Sequence, residues 1–404
     1  MIKNFKKKVL PNGFTILFEK REVPVVSVSI SFKGGGINEE LKEKGISHFI
    51  EHMLYKGTTN RTNLEIAQEI ERRGGEFNGF TSEEMTSFYC KISSKYVNVA
   101  LDVLGDVIKN PLFLEEDIEK ERKVIFEEIK MRKDNPRNYV FDKIHSLLYS
   151  ETLGLDLAGT EKTVNSITRE DLVKRHKKYF TPNNLILTVV GNVNFEKIVD
   201  WSKKFFSEKN KSRIPNYKFQ FQNKRKIEKR KGIDQANLIF AFHSPLANDE
   251  KTHAAEVLIT LLAGGMSSRL FHEIREKRNL VYSIHGDIDS TKKYSHSMIY
   301  AGCKKENMQL VEKLILEEFR KVSKDLTEEE LNHTKEQLIG NYQISMEDSQ
   351  NQMLHLLIEE IDSDAKNFYL YENNISKVKL EDVKKLASKV VSGKYSFFAL
   401  VPED

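Results

Sequence analysis

Cysteine is nearly absent from the chain: two in 404 residues, Cys90 and Cys303. Neither lies in a Cys-x-x-Cys pair, so a disulfide framework and a cysteine metal site are excluded. Both read as small buried apolar residues in strands. Long apolar runs are missing too. No stretch approaches the roughly 18 residues a membrane-spanning helix needs. The first residues, MIKNFKKKVLPNGF, are basic but carry no apolar stretch of about 7–15 residues, so no secretory leader is expected and a cytoplasmic location is. Nor does one sign of charge dominate, with 64 basic and 60 acidic residues and a formal net charge of +4. That balance gives no ground for a nucleic-acid or membrane partner. The basic residues do concentrate between Lys209 and Lys231, in a stretch that reads as a solvated linker.

What remains is an ordinary globular composition, 39% apolar and 31% charged, in a chain long enough for two or three domains. Residues 5–32 read as three strands, the first two joined at Pro11-Asn12-Gly13, and Asn-Gly is a strong hairpin signal. In the third, Val26, Val28, Ile30 and Phe32 alternate with serines. A helix is predicted over 45–58 and another from Thr62, where Glu65 completes a capping box. Strand character returns from Glu76 to Ile92. Helices follow over 95–109, 114–133, on to about 150 and over 168–180, then a strand at LILTVVGNV and a helix closing near Phe206. In the stretch from Ser207 to Gly232 one strand is expected, at 217–221. The same order then recurs: strand 235–243, helix 251–263, a helix through Arg278, strands 281–288 and 294–303, helices 307–323 and 327–345, and a last strand at 395–401. A shift of 213 residues carries Cys90 onto Cys303 and the helix starting near Leu114 onto the one starting near Thr327, which marks an internal duplication. The expected fold is α+β: two similar domains, each a mainly antiparallel sheet with helices, over 1–210 and 233–404 with a basic linker at 211–232.

Chemistry is concentrated in GISHFIEHMLYKGT, residues 45–58. Ile46, Phe49, Ile50, Met53 and Leu54 share one helical face, and His48, Glu51, His52 and Tyr55 share the opposite one. Two histidines one turn apart can bring ring nitrogens to about 2.0–2.1 Å from a single zinc ion, and a neighbouring glutamate can act as general base. The pattern is H-x-x-E-H, the inverzincin motif. A catalytic zinc needs a third protein ligand. Glu121 and Glu128 lie two turns apart on the 114–133 helix and face the same way, so one could ligate while the other orients a ligand histidine. Glu119, Glu127 and several lysines stand beside them, so ordinary surface carboxylates give the same pattern.

H-x-x-E-H at 48–52, Glu128 76 positions after His52 within ERKVIFEEIKM, GGEFNGFTSEEMTSFY at 74–89 and LFHEIREKRNLVYSI at 270–284 together resemble the pitrilysin or insulinase family of zinc peptidases. Its members include mitochondrial processing peptidase and insulin-degrading enzyme. The resemblance covers the whole chain and implies His48, His52 and Glu128 as ligands of one Zn2+ per chain, Glu51 as the base, and Glu121 as the carboxylate behind a ligand histidine. It implies that Phe77, Asn78, Gly79, Phe80, Thr81 and Ser82 take up a peptide or unfolded segment as an added strand. Arg275 and Tyr282 would hold the substrate carbonyl. The chain's length matches the shorter members, similar to the catalytic subunit of mitochondrial processing peptidase, and implies a homodimer with composite sites. The second half has no H-x-x-E-H and carries Asn341 where Glu128 repeats. The competing expectation is a non-catalytic peptide-binding or assembly subunit of the same fold.

Overall fold

The computed structural model describes residues 4–403; Met1 to Lys3 and Asp404, the outermost residues of the two expected domain ranges, lie outside the described residues. The strands are β1 (Phe5–Val9), β2 (Thr15–Lys20), β3 (Val25–Phe32), β4 (Glu76–Thr81), β5 (Thr86–Ser93), β6 (Leu185–Gly191), β7 (Arg225–Arg230), β8 (Ala236–His243), β9 (Val281–Ser290), β10 (Ser295–Cys303) and β11 (Ser396–Pro402). The α-helices of the first half are α1 (Ile46–Leu54), α2 (Asn63–Glu71), α3 (Val97–Lys109), α4 (Glu115–Asp134), α5 (Pro136–Leu148), α6 (Glu161–Ser166), α7 (Arg169–Tyr179) and α8 (Phe195–Phe205). Those of the second are α9 (Thr252–Ala263), α10 (Met308–Asp325), α11 (Glu328–Ser345), α12 (Ser349–Asp362), α13 (Tyr371–Ser376) and α14 (Leu380–Val391).

The fold is α+β, with two sheets ordered β1-β2-β6-β3-β5-β4 and β7-β11-β8-β10-β9. The expected duplication is visible in the pairing. In both sheets one parallel pair, β2 with β6 and β7 with β11, sits beside otherwise antiparallel neighbours. Cys90 and Cys303 lie in equivalent inner strands, β5 and β10, both fully buried. The 213-residue shift also carries the start of α4 onto that of α11, and Pro136 of α5 onto Ser349 of α12.

The chain divides into two compact units, each discontinuous. The first comprises 1–130, 155–218 and 345–368; the second comprises 131–154, 219–344 and 369–404. The contiguous ranges 1–210 and 233–404 expected from composition therefore differ from the structural units by one exchanged helical segment each. Within the first unit α12 packs on β6 and β3. Within the second, α5 packs on β11 and β8. In β3, Val26, Val28, Ile30 and Phe32 enter the core on the side of α3, while Ser27, Ser29 and Ser31 are equally buried on the other face. Ser27 Oγ meets Ser349 Oγ of α12 at 2.8 Å.

Three further departures have physical reasons. The basic linker contains strand β7 at 225–230, and 217–221 is not a strand. Its run of Lys and Arg obscures it, yet such residues suit an exposed edge strand. The helix expected to reach Arg278 is a single wide turn over Phe271–Glu276 with i→i+5 geometry, after which Asn279 turns back at φ 51°. The helix predicted over 45–58 stops at Leu54, because Tyr55 caps it and Gly57 takes φ +126°.

Candidate metal centre

Helix α1 buries Ile46, Phe49, Ile50, Met53 and Leu54 almost completely, as its apolar stripe dictates. Its start is fixed by Gly45 at φ +100°, a conformation in which a side chain would be strained. The Glu39 carboxylate accepts from the backbone N–H of Gly45 at 3.0 Å and of Ser47 at 2.7 Å, placing negative charge at the helix N-terminus. Glu39 is fully buried and is balanced by the equally buried Lys44, 3.8 Å away. Lys44 also reaches Glu83 at 3.4 Å, in the turn between β4 and β5. From the α7 side, Arg175 donates to the Asn38 carbonyl at 3.1 Å and to Ser47 Oγ at 3.3 Å.

With the helix so held, its opposite stripe meets α4. His48 Nε2 and His52 Nε2 are 3.3 Å apart. Glu128 Oε2 lies 3.7 Å from the first and 3.5 Å from the second. A tetrahedral ion with bonds of about 2.0–2.1 Å would set its ligand atoms about 3.3 Å apart, so the three atoms already form one face of such a polyhedron. Two imidazole nitrogens facing each other at this distance repel through their lone pairs unless a cation or a proton lies between them. The donor set, two imidazoles and a carboxylate, is one that catalytic zinc uses. The residues fit the ion. Among the described residues they are also the one group of three or more His, Cys, Asp or Glu placed to hold a metal.

Glu121 occupies the position behind the ligands. Its Oε2 accepts from His52 Nδ1 at 3.0 Å, which leaves His52 Nε2 for an ion, and its Oε1 lies 2.6 Å from Lys56 Nζ. Glu51 projects beside the triangle, and its Oε2 accepts from Thr81 Oγ1 of β4 at 2.7 Å. Burial lifts the Glu51 carboxyl above its ordinary value; the Thr81 hydrogen bond and the neighbouring His52 oppose this. A raised carboxyl is the usual state of a side chain that shuttles protons near neutral pH.

Strand β4 is the outer strand of its sheet, next to β5 alone, and it lies against α1. Gly79 permits this approach: a Cβ there would stand 2.5 Å from the Tyr55 hydroxyl and 2.9 Å from the Ser87 carbonyl. Phe77 to Thr81 belong to the strand, and Ser82 follows it, accepting from Met85 N at Oγ. The structure thus brings His48, Glu51, His52, Glu121, Glu128 and Thr81 together in the first unit. Arg275 and Tyr282 lie in the second. The Arg275 guanidinium sits 4.7 Å over the Phe271 ring and Tyr282 is exposed. Sequence reasoning missed Lys56, Glu39 and Lys44. Lys56 had a signal, since it continues the His48–His52 stripe by one more turn; Glu39 and Lys44 lie five positions apart in one loop, and only their burial makes them a pair.

Residues 15–161 match the model described as Insulinase (Peptidase family M16), and 166–338 the one described as Peptidase M16 inactive domain. An uncharacterized zinc protease of Rickettsia felis is 34% identical over 100% of this chain and 99% of its own. The uncharacterized zinc protease YmxG of Bacillus subtilis is 32% identical over 98% of each. In three dimensions a protease from Helicobacter pylori superposes over 100% of both chains with a TM-score of 0.92 at 23% identity. A peptidase M16 inactive domain from Pseudomonas fluorescens gives 0.89 at 19% identity, over 99% of this chain and 98% of that one.

Proposed function

Because the chain belongs to the insulinase family of peptidases, family M16, we propose that it is a zinc-dependent endopeptidase hydrolysing peptides or unfolded polypeptide segments. The observation that carries this reading is the convergence of His48, His52 and Glu128 into one ligand face with Glu51 beside it. His48, His52 and Glu128 would hold one Zn2+ per chain, which supplies Lewis-acid polarisation of a carbonyl and a water of pKa about 7. Glu51 takes the proton of the attacking water and delivers it to the departing amine, with Thr81 holding the carboxylate in place. Strand β4, Phe77 to Thr81 with Ser82, offers its unpaired outer edge to an extended peptide. That fixes the scissile bond by backbone hydrogen bonds and selects unfolded segments over folded ones. Arg275 and Tyr282 bind the substrate carbonyl, and in a homodimer they would serve the partner's metal centre.

The test is digestion of a peptide library by purified protein with and without chelator. Glu51→Gln is expected to retain zinc and lose turnover, and His52→Ala to lose both. Equal zinc loss in the two variants would remove Glu51 from its role, and zinc-independent peptide binding without cleavage would favour a non-catalytic subunit. Mixing Arg275→Ala chains with Glu51→Gln chains tests the composite site. Activity should return near one site per mixed dimer, and no recovery would refute sharing between subunits.

A further inference from the structure

We propose that Lys56 is a positioning residue of the metal centre: through Glu121 it fixes the ring of His52. This inference rests on the metal reading of His48, His52 and Glu128. Lys56 is four residues after His52 and eight after His48, just past the end of α1. Its backbone there is immobilised. Lys56 N–H donates to the Met53 carbonyl at 3.1 Å, and the following Gly57 and Thr58 are bridged to Thr62 and Pro111. From this anchor Nζ reaches Glu121 Oε1 at 2.6 Å. The Glu121 side chain is 8% exposed, and among the described residues Lys56 is the one lysine or arginine in ion-pair contact with it.

The consequence is one of orientation. A carboxylate with one free oxygen can swing about its last bond. Lys56 pins Oε1, so Oε2 stays on His52 Nδ1 at 3.0 Å and the imidazole plane cannot turn its Nε2 away from His48 and Glu128. Groups behind a metal ligand act in this way on affinity. An ion pair that merely tied α1 to α4 would affect stability and leave the metal alone.

The experiment measures zinc affinity by competition with a fluorescent chelator, with no substrate present, for the native chain, Lys56→Met, Lys56→Arg, Glu121→Gln and the Lys56→Met/Glu121→Gln double variant. Lys56→Met is expected to weaken zinc binding about 10- to 100-fold, and Lys56→Arg to restore it to within about threefold of the native chain. The double variant should bind no more than about threefold more weakly than Glu121→Gln, because Lys56 acts through that carboxylate. Unchanged affinity in Lys56→Met, or losses that multiply in the double variant, would overturn the proposal. Should Lys56→Met fail to fold, Lys56→Gln takes its place with the same two outcomes. If the native chain takes up no zinc, the metal reading fails, and the His52 ring nitrogens of the metal-free protein decide the rest by 15N NMR. A single Nδ1-protonated form in the native chain that becomes mixed in the Lys56 variant supports the role, and identical spectra refute it.

Discussion

Acid should unfold the first unit through His176 before its carboxylates matter, and the size of the effect can be worked out. His176 sits on α7, buried, with Nε2 donating to the Ile108 carbonyl at 2.8 Å and its ring 4.7 Å from Phe180 and 5.5 Å from Phe113. Burial pushes its pKa down from 6.5 to about 4, outweighing the hydrogen bond to Ile108, which raises it. The folded-state value lies below the unfolded one, so the neutral ring's stability is fully present above pH 6.5. It is lost as pH falls from there toward 4. At pH 5 the loss is about 2 kcal/mol, approaching about 3.4 kcal/mol below pH 4. The chain's single tryptophan, Trp201, stacks on Phe205 in the same unit, so its fluorescence follows this unit alone. With a urea slope of about 2 kcal/mol/M, the Trp201 midpoint should fall by about 1 M between pH 7.5 and pH 5 because of this one ring. His176→Gln keeps a donor for Ile108 and cannot charge. In it that part of the fall should vanish, while the contributions of other groups, common to both proteins, cancel in the comparison. The same pH dependence in His176→Gln and the native chain would refute the argument.

Two further predictions concern the supports of the site. Asp106 is 2% exposed and accepts from Thr58 at 2.6 Å, Asn60 at 2.7 Å, Arg61 at 2.7 Å and Asn110 at 2.8 Å, so Asp106→Ala strands four donors, one of them charged. It should cost about 2–4 kcal/mol in the Trp201 transition, discounted for the solvent that Arg61 still sees, and a loss below about 1 kcal/mol would mean that water replaces the carboxylate. Gly79→Val places a Cβ against the Ser87 carbonyl and the Tyr55 hydroxyl. It should destabilise by about 1–3 kcal/mol and raise KM for peptide more than it lowers kcat, as steady-state kinetics on a fluorogenic peptide would report; a pure kcat effect would place β4 outside substrate binding.

The metal stripe could be read in the sequence because an α-helix turns spacing into direction: His48, His52 and the apolar face follow from periodicity alone. Glu121 and Glu128 were narrowed by the same rule to one helical face, but which of them met the histidines depended on how α4 crosses α1, which no local pattern encodes. The Glu39–Lys44 pair was invisible for a related reason, since two charged residues in a polar loop look solvated until the fold buries both. The serines of β3 mislead in the same way. By alternation they mark a solvent-facing side, yet α12, more than 300 residues further along the chain, covers them. Strand β7 was hidden by its charge, and the exchanged segments by their own ordinariness, since α5 and α12 look like any helix of their half.

That exchange has a genetic consequence. A chain cut within 211–224 would not release two autonomous modules. The piece ending there would lack α12 and leave β3 and β6 bare on one side, and the piece beginning there would lack α5 over β8 and β11. Each half-gene therefore encodes part of its neighbour's core, so neither half could be shuffled, lost or acquired without the other. The second half, in which the described residues include no group of three or more His, Cys, Asp or Glu placed to hold a metal, is kept in the same reading frame by the helix it lends.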